Sequence, residues 1–358
     1  MNKKKIAVIF GGCSSEHEVS RLSATSVINN LPKDKYEVVC LGITKDGRWY
    51  LFSGPVEEIT DGRWERNPLN QPAFLSPDRS IGGIVVDGKI GFDVIKVDCV
   101  FPVLHGRNGE DGTIQGLLQM SGIPFVGCRA LASADCMDKA VTHTLLTAAG
   151  VHQANYLWFY TNKYTETGAQ KIKIKIAARL GYPIFVKPAN AGSSVGISKV
   201  RSEDELDAAV AKAAQEDDKI VVEEAIVGQE VECAVLGNAE PKASVVGEIA
   251  ASAEFYDYDD KYNSGKSQLY IPAHLSEEVM EEIRSTAARA YRMLGCTGLS
   301  RVDFFVRNGR EVILNELNTM PGFTSISMYP KLWDACGVSY GDLLDKLITL
   351  SFEIKSKY

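Results

Sequence analysis

The stretch RVDFFVRNGREVILNELNTMPG, residues 301–322, constrains this chain more than any other. Two runs rich in Val, Ile and Phe flank Asn308-Gly309, a dipeptide suited to a type I′ turn because both central residues need φ > 0. The pattern predicts a β-hairpin with Arg301 opposite Glu316 and Asp303 opposite Leu314. Side chains alternate faces along a strand. Arg301, Asp303, Glu316 and Asn318 then emerge on one face near the open end, while Val302, Phe304, Val306, Ile313 and Leu317 form the packing face. Two readings stay open for the polar cluster. It is a solvated cross-strand ion pair of small energetic value, or it is a magnesium site, since a hard cation takes oxygen ligands from one or two carboxylates and from substrate phosphates. Thr319-Met320-Pro321-Gly322 ends the strand and lets a backbone N–H approach a ligand. The metal reading requires a phosphate cradle elsewhere in the chain.

The sequence offers candidates for that cradle. Residues 182–188 (YPIFVKP) read as a buried strand carrying Lys187, a charge that is costly there unless it meets an anion. The loop ANAGSSVGIS follows, and its backbone N–H groups are free to bond phosphate oxygens. It is not a Walker loop, because no GK[ST] opens a helix. Residues 219–226 (KIVVEEAI) form a further strand ending in Glu223-Glu224. Residues 133–149 read as one helix with Lys139 in its first turn, where the helix dipole disfavours a cation unless an anion lies nearby. Residues 170–181 read as an exposed basic helical face.

The N-terminal part has its own logic. Residues 5–10 are a continuous apolar run ending in Gly11-Gly12, as expected of a buried parallel strand feeding a turn and a helix that Pro32 stops. Glu16 lies in the loop at the carboxyl end of that strand, where open α/β sheets bind ligands; a first-turn helix acid is the alternative. Residues 48–95 read as short-stranded decoration. Residues 98–104 form another buried strand, running into the loop HGRNGEDG with His105, and residues 123–127 a further short strand. Length allows two or three domains. With 45% hydrophobic and 24% charged residues the chain is of ordinary globular composition, and a net charge of −7 argues against an extended nucleic-acid footprint. Eight scattered cysteines without a CxxC predict reduced, mostly buried thiols and a cytoplasmic setting. The apolar run at the N-terminus is too short for a leader or a membrane span, so no membrane partner is expected.

The segments FGGCSSEHEVS, HGRNGEDGTIQG, CMDK, VKPANAGSSVG, EFYDYDDKY, GLSRVDFF and NELNTMPGFTS occur in this order. Together they resemble the D-alanine–D-alanine ligase family of the ATP-grasp superfamily, which includes glycopeptide-resistance ligases that make D-alanyl–D-serine. The resemblance implies an α/β, three-domain ATP-grasp fold: a Rossmann-like substrate domain over residues 1–128, a central ATP-grasp domain over 129–228 and a C-terminal one over 229–358. It implies ATP held by Lys139, Lys187, Ser193, Ser194, Glu223, Glu224, Ile226 and Glu230, with Glu224 standing where many members carry Lys. Two Mg²⁺ ions, replaceable by Mn²⁺, would be held by Asp303, Glu316 and Asn318. Residues 254–268 would form a lid in which Lys261 holds phosphoryl oxygens and Tyr262 bonds Ser193. Glu16 would bind the ammonium of a first D-alanine with His105 beside it, and Arg301 with the Gly322 N–H would stabilise the oxyanion. Tyr256, Ser327 and Met328 would meet the second substrate. The apolar Met328 offers no partner to a hydroxyl, so the expected product is D-alanyl-D-alanine, for peptidoglycan precursor synthesis, rather than D-alanyl-D-serine. A cytoplasmic homodimer is implied.

Overall fold

The computed structural model describes residues 2–88, 90–250 and 268–354. Its strands form three sheets. The first contains β1 (Lys4–Gly11), β2 (Tyr36–Ile43), β3 (Trp49–Phe52), β4 (Gln71–Leu75), β5 (Gly83–Gly88), β6 (Gly91–Lys96) and β7 (Cys99–Pro102), in the order β6-β5-β4-β3-β2-β1-β7. Only the pairs of β1 with β2 and β7 are parallel; the others of this sheet are antiparallel. The apolar run of β1 is explained by its place. Ile6, Val8 and Phe10 enter the core on one face, and Ala7 and Ile9 enter that on the other. The expected strand at 123–127 reduces to a single parallel bridge, Val100 to Phe125.

The second sheet, order β10-β9-β11-β8, contains β8 (Tyr156–Tyr160), β9 (Ile184–Pro188), β10 (Ser198–Val200) and β11 (Lys219–Glu224). The helices Glu166–Arg179 and Leu206–Ala213 cover it through Ile176, Leu206 and Val210. The third sheet, order β14-β13-β12-β15-β16, contains β12 (Gln229–Gly237), β13 (Lys242–Ala250), β14 (Gln268–Tyr270), β15 (Gly298–Arg307) and β16 (Glu311–Asn318). One face packs on the helix Glu277–Met293. The other is the floor of the site. The helix predicted over 133–149 is two helices, Ala130–Met137 and Lys139–Ala148, broken at Asp138. Asp138 adopts extended backbone and its side chain accepts from Ala140 N–H and Val141 N–H, so it caps the second helix instead of continuing the first.

The hairpin corrects the expected register and part of the expected packing face yet keeps the expected polar face. Asn308 and Gly309 take φ of 53° and 67°, and the Arg310 N–H donates to the Arg307 carbonyl at 3.2 Å, so the turn forms. Pairing resumes at Arg307–Glu311, one residue later than a two-residue loop would give, and a bulge between Asp303 and Phe304 adds a second slip. Arg301 therefore pairs with Asn318 and Asp303 with Glu316. Two one-residue slips restore the alternation, so all four polar residues share a face. Between the slips the parity is reversed. Ile313 pairs with Phe305 and leaves the packing face, which Val312 and Leu314 join instead.

Candidate active site

The floor of the site is the open face of the third sheet. Directly opposed residues on four strands place Gly247, Glu232, Asp303 and Glu316 in one row. Arg301 forks onto Asp303, with Nε donating to Oδ1 at 2.7 Å and Nη2 to Oδ2 at 2.6 Å. Its Nε also lies 3.1 Å from Glu232 Oε2, and Asn318 Nδ2 donates to Asp303 Oδ2 at 2.9 Å. Burial opposes the charge on Arg301, but Asp303 and Glu232 beside it hold the guanidinium firmly protonated. Glu316 meets Lys139 Nζ at 3.7 Å. Among the described residues no three His, Cys, Asp or Glu side chains gather as a metal cage. Two carboxylates and an amide fit a hard cation that draws its remaining ligands from phosphates, and Arg301 and Lys139 now supply the positive charge this spot requires.

The first sheet supplies the opposite wall. Glu16, at the start of the helix His17–Asn30, is buried, and the Ser193 hydroxyl donates to its Oε1. Two glycines make room for this carboxylate. A Cβ at Gly106 would stand 2.4 Å from Glu16 Oε2, and one at Gly192 2.7 Å from it. His105 is buried, with Nδ1 2.9 Å from the Met320 carbonyl and Nε2 3.0 Å from Ser23 Oγ. A carbonyl only accepts, so Nδ1 carries the proton and Nε2 accepts from Ser23. Burial lowers the His105 pKa, consistent with this neutral tautomer. Glu110 accepts from Gly106 N–H at 2.8 Å and from Met320 N–H at 3.2 Å, which ties the loop after β7 to the end of the hairpin. Enclosure in the cleft and the neighbouring Glu16 raise the Glu110 pKa to about 8. A cavity of about 130 Å³ lies here, lined by Glu16, His105, Arg301, Gly322, Ser327 and Met328.

Lys139, Ser193, Glu232 and Glu316 line both this cavity and a second of about 360 Å³ between the second and third sheets. The second is also lined by Lys187, Ser194, Glu223, Glu224, Ile226 and Glu230. Lys139 Nζ donates to the Ala191 carbonyl at 2.9 Å, fixing the base of the small-residue loop, and Ser193 and Ser194 in that loop take φ of 46° and 60°. Lys187 meets Glu223 at 2.6 Å. The Glu223 carboxylate also lies 3.1 Å from His143 Nε2, and the His143 ring stacks on Tyr156. Burial would raise the Glu223 pKa, but Lys187 and His143 hold it well below the usual carboxylate range. The Glu224 carboxylate accepts from Asn155 N–H at 2.9 Å and from its Nδ2 at 3.1 Å.

The structure thus gathers Glu16, His105, Lys139, Lys187, Ser193, Arg301, Asp303, Glu316, Asn318, Gly322, Ser327 and Met328 around two joined cavities. Tyr256, Lys261 and Tyr262 lie outside the described residues. Glu110, His143 and Glu232 escaped the sequence reading. Glu110 stands inside the loop already singled out for His105. Glu232 is offset by two from Glu230, so strand alternation puts both on one face.

Two sheets closing on a cleft, with a small-residue loop, two lysines and an oxygen donor set facing it, define an ATP-grasp fold. Residues 5–128 match the family model described as D-ala D-ala ligase N-terminus, and residues 145–349 that described as D-ala D-ala ligase C-terminus. The chain is 52% identical over 357 residues to a D-alanine–D-alanine ligase of Thermoanaerobacter sp. (strain X514), covering 99% of this chain and 98% of that one. Among solved structures it is similar to the VanG D-Ala:D-Ser ligase from Enterococcus faecalis, with 44% identity, a TM-score of 0.88 and coverage of 98% and 100% of the two chains. It is also similar to the D-alanine-D-alanine ligase from Coxiella burnetii, with 36% identity, a TM-score of 0.85 and coverage of 99% and 95%. The chain belongs to the D-alanine–D-alanine ligase family. No helix among the described residues is long and apolar enough to cross a membrane.

Proposed function

We propose that this protein joins two D-alanine molecules at the expense of ATP, supplying D-alanyl-D-alanine for peptidoglycan precursors. The observation that carries this is that Glu16 and Arg301 share the smaller cavity with Ser193 and Glu316, which also line the larger one. The first D-alanine binds in the smaller cavity with its ammonium at Glu16. One of its carboxylate oxygens attacks the γ-phosphorus of ATP, ADP leaves, and an acyl phosphate results. The amine of the second D-alanine attacks the acyl carbon, the C–O bond to phosphate breaks, and the amine loses a proton. Negative charge grows in both steps, so preorganised donors carry most of the catalysis. Lys139 and Lys187 hold phosphate oxygens, and Arg301 with the Gly322 N–H faces the tetrahedral oxyanion. Two Mg²⁺ ions, or Mn²⁺ in their place, held by Asp303, Glu316 and Asn318, would withdraw charge from the phosphates when bound.

The buried Met328 favours D-alanine over D-serine as acceptor, because a hydroxyl would find no polar partner on its thioether side chain. We take the three sheets as domains with borders near residues 128 and 228, in a cytoplasmic homodimer. The test is a product assay with Mg-ATP and competing D-alanine and D-serine at neutral pH. D-Alanyl-D-alanine is expected to predominate. Predominant D-alanyl-D-serine would overturn the acceptor assignment, and an absence of D-alanine-dependent phosphate release would overturn the ligase reading.

A further inference from the structure

Asp303 is crowded with donors. Its Oδ1 accepts from Arg301 Nε, and its Oδ2 accepts from both Arg301 Nη2 and Asn318 Nδ2. A carboxylate so engaged has little left to offer a cation, so metal binding requires Arg301 to withdraw from it. A buried guanidinium that loses its carboxylate without gaining another is strongly destabilised. Glu232 stands ready to receive it. It lies on β12 directly opposite Asp303, is itself buried, and already approaches Arg301 Nε at 3.1 Å from the side away from Glu316 and Asn318. Asp303 is two residues from Arg301 on the same strand face, so a small swing of one side chain exchanges the two acceptors.

We infer that Glu232 is a positioning residue that takes Arg301 from Asp303 when the metal–nucleotide complex binds, leaving Asp303 free for the cation and Arg301 aimed into the substrate cavity. The inference rests on the proposed metal role of Asp303. Glu232 also lines both cavities, at their junction, so the exchange occurs where the γ-phosphate and the acyl carbon would meet.

Direct titration of the full-length protein with Mn²⁺ in the presence of a non-hydrolysable ATP analogue, read by electron paramagnetic resonance, tests this without turnover. Glu232→Gln leaves Asp303 as Arg301's charged partner, so Mn²⁺ affinity is expected to fall about tenfold or more, the usual cost of losing a group that orients a metal ligand. Glu232→Asp, which retains the charge, is expected to restore most of the affinity. Glu232→Thr serves as a second neutral variant should the Gln variant fail to fold. The decisive comparison is made in an Arg301→Ala background, where Glu232→Gln is expected to weaken Mn²⁺ no further. Persistent weakening there would mean that Glu232 acts on the cation directly and would overturn the inference. Wild-type affinity in Glu232→Gln, with affinity lost in Asp303→Asn, would overturn it while leaving the metal site standing. Wild-type affinity in Asp303→Asn would remove the metal site itself.

Discussion

The Ser193 hydroxyl donates to Glu16 across 177 residues of sequence, joining the small-residue loop of the second sheet to the wall formed by the first. The loop that would cover the phosphates is thereby tied to the carboxylate that would hold the substrate ammonium. Under the proposed function, one hydrogen bond would serve both nucleotide and amino-acid binding.

Removing that bond should uncouple the two. A hydrogen bond to a charged group contributes about 1.5–3 kcal/mol. Ser193→Ala is expected to raise the KM for the first D-alanine about tenfold while the protein melts near its wild-type temperature. Steady-state kinetics with D-alanine varied at saturating ATP measures this, and an unchanged KM would show that the contact is incidental.

Asp303→Asn and Glu316→Gln should fold normally and lose nearly all turnover. Each keeps its size and place on the sheet but loses the charge that fits a divalent cation. Circular dichroism and kcat, measured on the same preparations, separate folding from activity. A kcat close to wild type in either variant would withdraw that residue from the metal set.

Glu110 makes stability depend on pH. Its folded pKa is raised from 4.5 to about 8, first by burial and then by Glu16. The folded protein therefore holds a proton that the unfolded chain releases at lower pH. The stability linked to that proton is fully present below about pH 4.5 and is lost as pH rises through about 8. Wild-type Tm should decline across this window more steeply than that of Glu110→Gln, which cannot ionise. The variant should also be somewhat less stable in acid, because its amide accepts only one of the two backbone N–H groups. Parallel slopes in a melting series would refute the assignment.

Asp138 both caps the helix Lys139–Ala148 and pairs with Lys219. Loss of an N-cap costs about 0.5–2 kcal/mol. Asp138→Ala should lower the denaturant midpoint accordingly and raise the KM for ATP, since Lys139 is the first residue of that helix. A destabilised variant with an unaltered KM would show that the cap does not position Lys139.

The shared face of Arg301, Asp303, Glu316 and Asn318 was legible from alternation alone. It survived an incorrect register because two slips of one residue cancel in a pattern of period two. The buried strand β1, the small-residue loop with Lys187 and the turn at Asn308-Gly309 were likewise local signals, set by apolar run length, residue size and allowed φ. Local patterns could not reveal the bulge or the break at Asp138. Each reflects a competition between two plausible backbones that differ by a single hydrogen-bonding side chain or inserted residue.

What the sequence determined by itself was which faces are polar and which chemistries they could serve, because alternation and turn geometry act over a few residues. Only the tertiary structure decided the partners: Glu232 beside Arg301, Glu110 beneath Met320, His143 on Glu223 and Ser193 on Glu16. These pairs span strands and sheets far apart along the chain. They form only when non-local sheet pairing and core packing have met the entropy cost of closing those loops, and no short-range pattern carries that information.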